Sequence, residues 1–363
     1  MKILHLTKKY PELIGGDAVV VKNLREYQIK NKNSIFILTS NNKTIIDAEY
    51  IFKFGIHVND NELDDINIKR IISLFILFFY SFKLLKQIKP DVVHSHSIDM
   101  AFIISFACRF YNIPQVTTFH CGLFSQKNRF NLRGIIESLF LPLSGFKKII
   151  TVNNQDMYMN KNVFFIPNGV DPNKFKPTLR KNNIPIILYV GRIVEIKGLD
   201  YLVSAVNSIN KKGYKVKLHI IGEGDYKKEL DAKIEKLNIK NIKFIKKINH
   251  DELTKYYAQA DVLVLPSVEQ EGFGLVLIEA LASGTPVVTT NVCGLANYIE
   301  KYNCGIVIPP KDSDKLTNAL LEILKNKDLS NRFIKNGKKL IKAKFTWKEI
   351  VNEINNIYLT VLR

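Results

Sequence analysis

The strongest restriction on the fold comes from an alternation of short apolar segments with longer helical stretches, which runs through the 363-residue chain twice. In the first half the predicted strands are 2–6, 34–38, 92–94, 115–119 and 148–152. In the second half they are 186–190, 217–221, 243–245, 262–265 and 287–289. Such alternation is typical of parallel sheets covered by helices on both faces. The sequence therefore predicts an α/β protein with two doubly wound domains, with ligands at the carboxyl ends of the strands.

A proline-rich stretch around Asn168-Gly169 predicts the boundary between the two domains, because proline interrupts helices and strands. The predicted division is a first domain over 1–168, a second domain over 169–345 and a C-terminal helix over 346–363. The apolar side chains of that helix are spaced to share one face: Trp347, Ile350, Ile354, Ile357 and Tyr358. Periodicity alone indicates only that this face packs against another part of the protein.

The charge balance favours anionic partners. Lys and Arg number 53 against 34 Asp and Glu, a formal net charge of +19, while 46% of the residues are hydrophobic. The apolar fraction excludes a disordered chain, and the charge indicates phosphorylated substrates, acidic lipid or nucleic acid. Aromatic-rich basic modules of the nucleic-acid-binding type are not evident in the sequence, so nucleic acid is not a predicted partner. A codon bias toward Lys, Asn and Ile is the alternative source of the charge.

One apolar segment, Ile71 to Phe82, raises the question of a membrane. Lys69-Arg70 precede it, and Lys83 and Lys86 follow it. Its 12 residues fall short of the roughly 20 that cross a bilayer, so a spanning helix is not predicted. Two interpretations remain: a buried helix of the first domain, or an interfacial helix whose flanking lysines contact acidic headgroups.

Cysteine usage and the N-terminus indicate the cytoplasm. The four cysteines form neither a C-x-x-C pair nor a zinc-binding spacing: Cys108, Cys121, Cys293 and Cys304. Isolated thiols of this kind are typical of reduced cytosolic proteins. Residues 1–6 are too short for a signal peptide and are predicted as the first strand. We expect a cytoplasmic protein, attached peripherally to the inner face of the cell membrane if the apolar helix is interfacial.

The segment Ser267 to Thr285 carries the clearest chemical signal. Glu271 and Glu279 lie eight positions apart around Gly272-Phe273-Gly274, directly after an apolar strand. Glycines let backbone amides approach an anion, and a helix N-terminus favours negative charge. Carboxylates do not suit a phosphate, but they suit the hydroxyl groups of a sugar or ribose. Phosphate and polyol together predict a nucleotide-sugar.

Two cations follow the strand 186–190, where they are placed to meet a diphosphate. Arg192 and Lys197 lie between Gly191 and Gly198, before a predicted helix. Solvated surface charges are the alternative interpretation of the pair. In the first half, Gly16 opens a predicted helix after Gly15, which indicates either an anion-binding loop or a tight turn without a ligand.

Three histidines lie on predicted strands of the first half. His120 ends the strand that begins at Val116, either as a functional group or as a packed core residue. His94 and His96 alternate on one strand and so share a face, as structural or acceptor-side groups. Metal ligation by this pair is conceivable, but no third ligand is apparent in the sequence, and no metal is predicted.

Taken in order, these motifs resemble those of glycosyltransferase family 4, the retaining group with the GT-B fold. The resemblance covers nearly the whole chain, from about Lys2 to Trp347. Glu271 and Glu279 match the Glu-x7-Glu signature of that family. The other matching segments are Gly15-Gly16, Val116 to His120, Ile166 to Asp171, Tyr189 to Arg192 and Lys197 to Asp200.

The resemblance implies a GT-B architecture: two Rossmann-like domains facing a central cleft, with a C-terminal helix that crosses back to the first domain. It implies retaining transfer of a hexose from a nucleotide-diphosphate sugar to a glycan, polysaccharide-precursor or lipid-linked acceptor. The donor is a substrate, and neither a cofactor nor a metal is expected. A nucleotide-sugar epimerase on the same architecture and a non-catalytic nucleotide-sugar-binding subunit are the alternatives.

The resemblance also implies roles for individual residues. Arg192 and Lys197 would stabilise the departing diphosphate, and Glu271 and His120 would orient the transferred sugar. Glu279 would bind the ribose hydroxyls. The remaining predicted contacts are the loop at Gly16 over the diphosphate, the amides of Gly274, Leu275 and Val276 on the phosphate or sugar, and the segment at Ile248 under the base.

Overall fold

The structure is a computed structural model that describes residues 1–10, 16–40, 50–56, 68–120, 148–153, 162–177, 182–246 and 248–363. The chain divides into two compact units. Unit 1 consists of Met1–Asn168 and Trp347–Arg363, and unit 2 consists of Gly169–Thr346. Each unit contains one parallel sheet in the part of the chain that the structure describes.

The sheet of unit 1 has seven strands in the order β3-β2-β1-β4-β5-β6-β7. Its described elements are β1 (Lys2–Thr7), α1 (Gly16–Lys30), β2 (Ser34–Ser40), β3 (Ile51–Phe54), α2 (Ile68–Ile88), β4 (Val92–Ser95), α3 (Ile98–Phe110), β5 (Gln115–Phe119), β6 (Lys148–Thr151) and β7 (Val163–Phe165). The five strands predicted for the first half are all present. The two further strands, β3 and β7, are segments of four and three residues on the sheet's edges.

The sheet of unit 2 has six strands in the order β10-β9-β8-β11-β12-β13. Its strands are β8 (Ile186–Val190), β9 (Lys217–Ile221), β10 (Ile242–Ile245), β11 (Val262–Leu265), β12 (Val287–Thr290) and β13 (Gly305–Ile308). Its helices are α4 (Leu199–Lys211), α5 (Lys227–Lys236), α6 (His250–Gln259), α7 (Leu275–Ala282), α8 (Ala296–Lys301), α9 (Ser313–Lys325) and α10 (Lys327–Lys344). The sequence did not predict β13, although all five of the strands that it did predict in this half are present.

Local sequence explains why these elements form where they do. All four residues of β11 and of β12 are buried, which requires the uninterrupted apolar or small side chains of a central parallel strand. Asp312 accepts a hydrogen bond from the Lys315 amide (2.8 Å) and caps α9. Asn326 caps α10 in the same way through the Leu329 amide (2.9 Å).

The last helix, α11 (Trp347–Leu362), belongs to unit 1 and packs against α1. Its buried side chains are Trp347, Ile350, Val351, Ile354, Ile357, Tyr358 and Val361. The Gln28 side-chain amide donates to the Tyr358 hydroxyl across this contact (3.3 Å). The prediction that a C-terminal helix returns to the first domain is therefore confirmed.

Helix α2 has two unlike apolar faces. One face is buried in the core that it shares with β1, β2, β4 and α3, through Leu77, Leu84, Leu85 and Ile88. The other face is solvent-exposed: Ile68 is 74%, Phe75 65% and Phe79 60% exposed. The helix has 21 residues, enough by length and composition alone to cross a membrane, so the 12-residue apolar run underestimated it. Helix α2 is therefore buried in the core of unit 1 on one face only, and its other apolar face is exposed.

Candidate active site

The loop from β11 to α7 presents a helix N-terminus. Gly274 has φ +85°, a left-handed conformation that favours glycine. A Cβ there would lie 3.0 Å from Cys293 Sγ and 3.1 Å from Leu277 Cδ1, so the space also favours glycine. Leu275 and Val276 form the first turn of α7, whose amides have no partner within the helix. Together with the helix dipole, these amides can bind an anion.

Lys197 and Glu271 form an ion pair within unit 2. Both side chains are largely buried, with 16% and 17% exposed. The Ser267 hydroxyl donates to the same Glu271 Oε2 (3.1 Å), so the carboxylate is held from two sides. Such a pair is screened by solvent far less than a surface salt bridge. The sequence had assigned the two residues to different parts of a ligand, whereas the structure brings them into direct contact.

A close approach of two loops creates that contact. Lys197 ends a 3₁₀ turn that follows β8, and the Val268 amide donates to the Ile196 carbonyl (2.9 Å). Gly198 allows this approach, since it has φ +67° and a Cβ there would lie 2.2 Å from the Pro266 carbonyl oxygen. Gly198, at one end of the predicted diphosphate loop, is therefore favoured because the two loops pack closely there. The sequence did not reveal this contact.

Glu279 is buried in α7, with 5% of its surface exposed. His250 Nε2 lies 2.6 Å from one carboxylate oxygen, and the Tyr257 hydroxyl donates to the other (2.7 Å). Burial and the adjacent carboxylate raise the pKa of Tyr257 well above its usual value, so the phenol stays a donor. Glu279 is therefore not a solvent-exposed residue of the helix. Each carboxylate oxygen keeps a second lone pair with which it can accept a further hydroxyl.

Sequence reasoning missed His250 and Tyr257 as partners of Glu279. A signal existed, because residues seven apart lie two turns apart on one face of α6. The remaining predicted residues of unit 2 also follow strands. Arg192 is exposed after β8, and its backbone carbonyl accepts from the Tyr189 hydroxyl (2.7 Å). Ile248 is half-buried, in the segment from β10 to α6.

In unit 1 the predicted residues also lie beyond the carboxyl ends of strands. Helix α1 begins at Gly16, while Gly15 lies outside the described residues. His120 directly follows β5 and is half-buried. Its Nε2 lies 3.0 Å from Nδ1 of His96, and the two rings stack with centroids 5.3 Å apart. Each sheet thus carries its predicted residues at the edge where parallel α/β folds bind ligands.

His94 and His96 have a third histidine beside them, His5 on β1. The three rings are buried, with candidate ligand atoms within 4.8 Å of one another, so the statement that no third ligand is apparent is wrong for the folded protein. The fit to a metal is poor on geometric grounds. The rings of His94 and His96 stack at 4.3 Å, so their in-plane lone pairs do not converge on one point. Both nitrogens of each ring also make hydrogen bonds already, so a metal would have to displace one of these bonds on every ring.

Two protein-family models match the chain. The model for glycosyl transferases group 1 matches residues 170–340, and the model for glycosyltransferase family 4 matches residues 14–174. Together they cover both units and include every predicted site residue.

Known proteins with similar sequences carry the same kind of name. The chain is 27% identical over 401 residues to an uncharacterized glycosyltransferase of Methanocaldococcus jannaschii, covering 99% of this chain and 98% of the relative. It is 26% identical to the phosphatidyl-myo-inositol mannosyltransferase of Mycobacterium leprae, over 75% of this chain and 74% of that protein.

Solved structures share the fold. Sucrose-phosphate synthase from Thermosynechococcus elongatus superposes with a TM-score of 0.83 at 22% identity, covering 99% of each chain. Anabaena HepE in complex with UDP-glucose superposes with a TM-score of 0.78 at 17% identity, covering 99% of this chain and 100% of HepE. With the two family models, these similarities confirm the α/β architecture and the recognition made from sequence motifs. The chain belongs to the group 1 glycosyltransferases of the family 4 type, with their two-domain GT-B fold.

Proposed function

We propose that this glycosyltransferase is a retaining enzyme that transfers a hexose from a nucleotide-diphosphate sugar to a glycan, polysaccharide-precursor or lipid-linked acceptor. The observation that carries the proposal is the ion pair between Lys197, in the turn after β8, and Glu271, in the loop that leads to the N-terminus of α7. The cation can neutralise the diphosphate charge of such a donor, and the carboxylate can accept hydrogen bonds from its sugar hydroxyls. The helix amides can donate to its phosphate oxygens. HepE, a similar structure, binds UDP-glucose and supports this donor class.

The buried Glu279 would bind the ribose end of the donor. His250 and Tyr257 hold the carboxylate in place, so its remaining lone pairs are fixed in direction before a ligand arrives. Ile248, half-buried just before α6, would lie under the base. Gly16 at the start of α1 and His120 after β5 would contribute the first domain's contacts to the diphosphate and the sugar.

The reaction requires charge stabilisation on the leaving group more than it requires a protein base. The bond from the anomeric carbon to the diphosphate oxygen breaks, and the acceptor oxygen bonds to that carbon on the same face. The departing diphosphate takes the proton of the acceptor hydroxyl. Arg192 and Lys197 would stabilise the growing negative charge on the diphosphate. We propose that these cations serve without a cofactor or metal, so activity should persist in excess EDTA.

The acceptor would be presented at an acidic membrane surface. The exposed apolar face of α2 continues onto α3 through Phe106 and Phe110, which are 40% and 71% exposed. Exposed basic side chains flank this face: Lys69, Lys83, Lys86 and Arg109. Apolar side chains that enter the headgroup layer, with lysines on anionic lipid, are typical of interfacial helices. The similar mannosyltransferase of Mycobacterium leprae is named for a phosphatidylinositol, which supports a lipid-linked acceptor.

Two experiments test these proposals separately. A donor screen with purified protein should detect acceptor-dependent release of a nucleoside diphosphate, and NMR should show a product with the donor's anomeric configuration. A new sugar nucleotide formed without acceptor would favour the epimerase, and donor binding by calorimetry without any turnover would favour the non-catalytic nucleotide-sugar-binding subunit. For the membrane, Phe75→Glu with Phe79→Glu should abolish sedimentation with acidic liposomes at low salt. Leu359→Glu on α11 is the matched control, since Leu359 is exposed on another helix.

A further inference from the structure

Two of the buried histidines, His5 and His96, are joined to His120 by ring-to-ring hydrogen bonds that the proposed function does not explain. His120 Nε2 contacts His96 Nδ1 at 3.0 Å, and His96 Nε2 contacts His5 Nδ1 at 2.9 Å. His5 Nε2 in turn contacts the amide oxygen of Gln28 at 2.7 Å. We call this sequence of contacts, from His120 through His96 and His5 to Gln28, the histidine chain.

Hydrogen-bond chemistry fixes where the protons of the histidine chain lie. The Gln28 oxygen can only accept, so His5 must carry its proton on Nε2 and its lone pair on Nδ1. His96 must then donate from Nε2 to His5, which leaves the lone pair of neutral His96 on Nδ1. His120 must therefore donate from Nε2 to His96, so the lone pair of a neutral His120 ring lies on Nδ1.

The environment keeps the inner rings neutral. Burial, and then the neighbouring rings, lower the pKa of His96 well below its usual value, and burial lowers that of His5 to about 4. The side chains that face the chain from other elements are neutral as well: Gln28 on α1, His94 on β4 and Tyr358 on α11. A second proton on His5 or His96 would bring two N–H donors face to face with no acceptor between them. The hydrogen bond at that point of the histidine chain would then be lost.

We propose that His96 and His5 are positioning residues that fix the ring orientation and tautomer of His120. Three imidazoles with aligned N–H bonds polarise one another, with the positive ends toward Gln28 and the negative end at His120 Nδ1. A fixed lone pair at that atom can accept a sugar hydroxyl. It would also favour the positive charge that develops on the transferred sugar. The proposal rests on the role proposed for His120 at the reacting sugar.

The decisive measurement is nitrogen NMR of the full-length wild-type protein, labelled in the ring nitrogens of its seven histidines. At pH 7.5, His5, His96 and His120 should each show a protonated Nε2 and a bare Nδ1. A protonated Nδ1 on any of the three would overturn the proposal. The result does not depend on activity, so a protein with these tautomers that turns over no donor would refute the proposed function alone.

A pair of substitutions at His96 tests the link to catalysis. In His96→Asn the side-chain oxygen can occupy the place of Nδ1 and still accept from His120, whereas His96→Leu removes the acceptor. In metal sites, loss of a partner that fixes a histidine tautomer typically costs about 10- to 100-fold, and a partner of His120 should act on the same scale. We expect such a loss in kcat for His96→Leu with an unchanged KM for the donor, and recovery to within a few-fold of wild type for His96→Asn. Equal kcat values in the two folded variants, verified by circular dichroism, would overturn the positioning role.

Discussion

The buried histidines of unit 1 make its stability depend on pH in a direction and size that can be worked out. Burial lowers the pKa of His5 from 6.5 to about 4, and burial also lowers those of His94 and His96. Between pH 6.5 and pH 4 the unfolded chain binds a proton on His5 that the folded unit refuses. Because the folded pKa is the lower one, this stability is present above pH 6.5 and is lost as the pH falls toward 4.

The magnitude follows from the same values. For a ring that titrates near 6.5 when unfolded and near 4 when folded, lowering the pH from 7.5 to 5 costs about 2 kcal/mol of unfolding free energy. Burial lowers the pKa values of His94 and His96 in the same direction, so they add to the loss from His5. A loss of this size is a large share of the roughly 5–15 kcal/mol that stabilises a typical domain.

Urea unfolding followed by tryptophan fluorescence measures this effect in unit 1. Trp347 is the chain's single tryptophan, lies in unit 1 and is 2% exposed. With a slope of about 2 kcal/mol per molar urea, His5 alone should move the midpoint by about 1 M between pH 7.5 and pH 5. His5→Gln should reduce the wild-type shift by about that amount. His219→Gln, in unit 2, should reduce it less. A wild-type loss below about 1 kcal/mol, or an unchanged shift in His5→Gln, would refute the reasoning.

Three further substitutions test the candidate site and its support. Lys197→Ala should lower kcat about 100-fold with little change in donor KM, because its charge acts mainly on the departing diphosphate; a change in KM alone would contradict this role. Glu279→Gln should raise donor KM about 10-fold by weakening charged hydrogen bonds to the ribose, while kcat at saturation stays close to wild type; loss of kcat alone would contradict ribose binding. Gly198→Ala should destabilise unit 2 by at least about 2 kcal/mol in thermal unfolding, because its Cβ would meet the Pro266 carbonyl; an unchanged melting temperature would exclude the clash.

The fold could be predicted from sequence because central parallel strands leave a strong pattern. Both faces of β8 and β11 are covered, so nearly every residue in them is apolar and the strands stand out. Edge strands such as β7 and β13 are three or four residues long and partly exposed, so the apolar segments that form them are short. The sequence did not show that one apolar face of α2 is exposed, because an apolar residue does not by itself indicate whether another part of the protein covers it.

The candidate site was predictable in its residue types but not in its pairings. Motifs located Lys197, Glu271 and Glu279, yet their contacts depend on how loops 74 or 29 residues apart meet. His5 shows what sequence reasoning lacked. It lies beside His94 only because β1 and β4 are parallel neighbours with these two residues in register. The strand order of a doubly wound sheet, applied to each histidine, would have indicated the contact.

The ion pair of Lys197 with Glu271 affects which anions can bind at Lys197. An anion such as inorganic phosphate would have to displace the Glu271 carboxylate from the Lys197 ammonium group. Inorganic phosphate has no sugar hydroxyls to which the displaced carboxylate could bond. A sugar nucleotide brings an anion for the lysine and hydroxyls for the displaced acid in a single molecule. The Glu271 carboxylate would therefore weaken the binding of other cellular phosphates at Lys197, independently of any contact with the base or the acceptor.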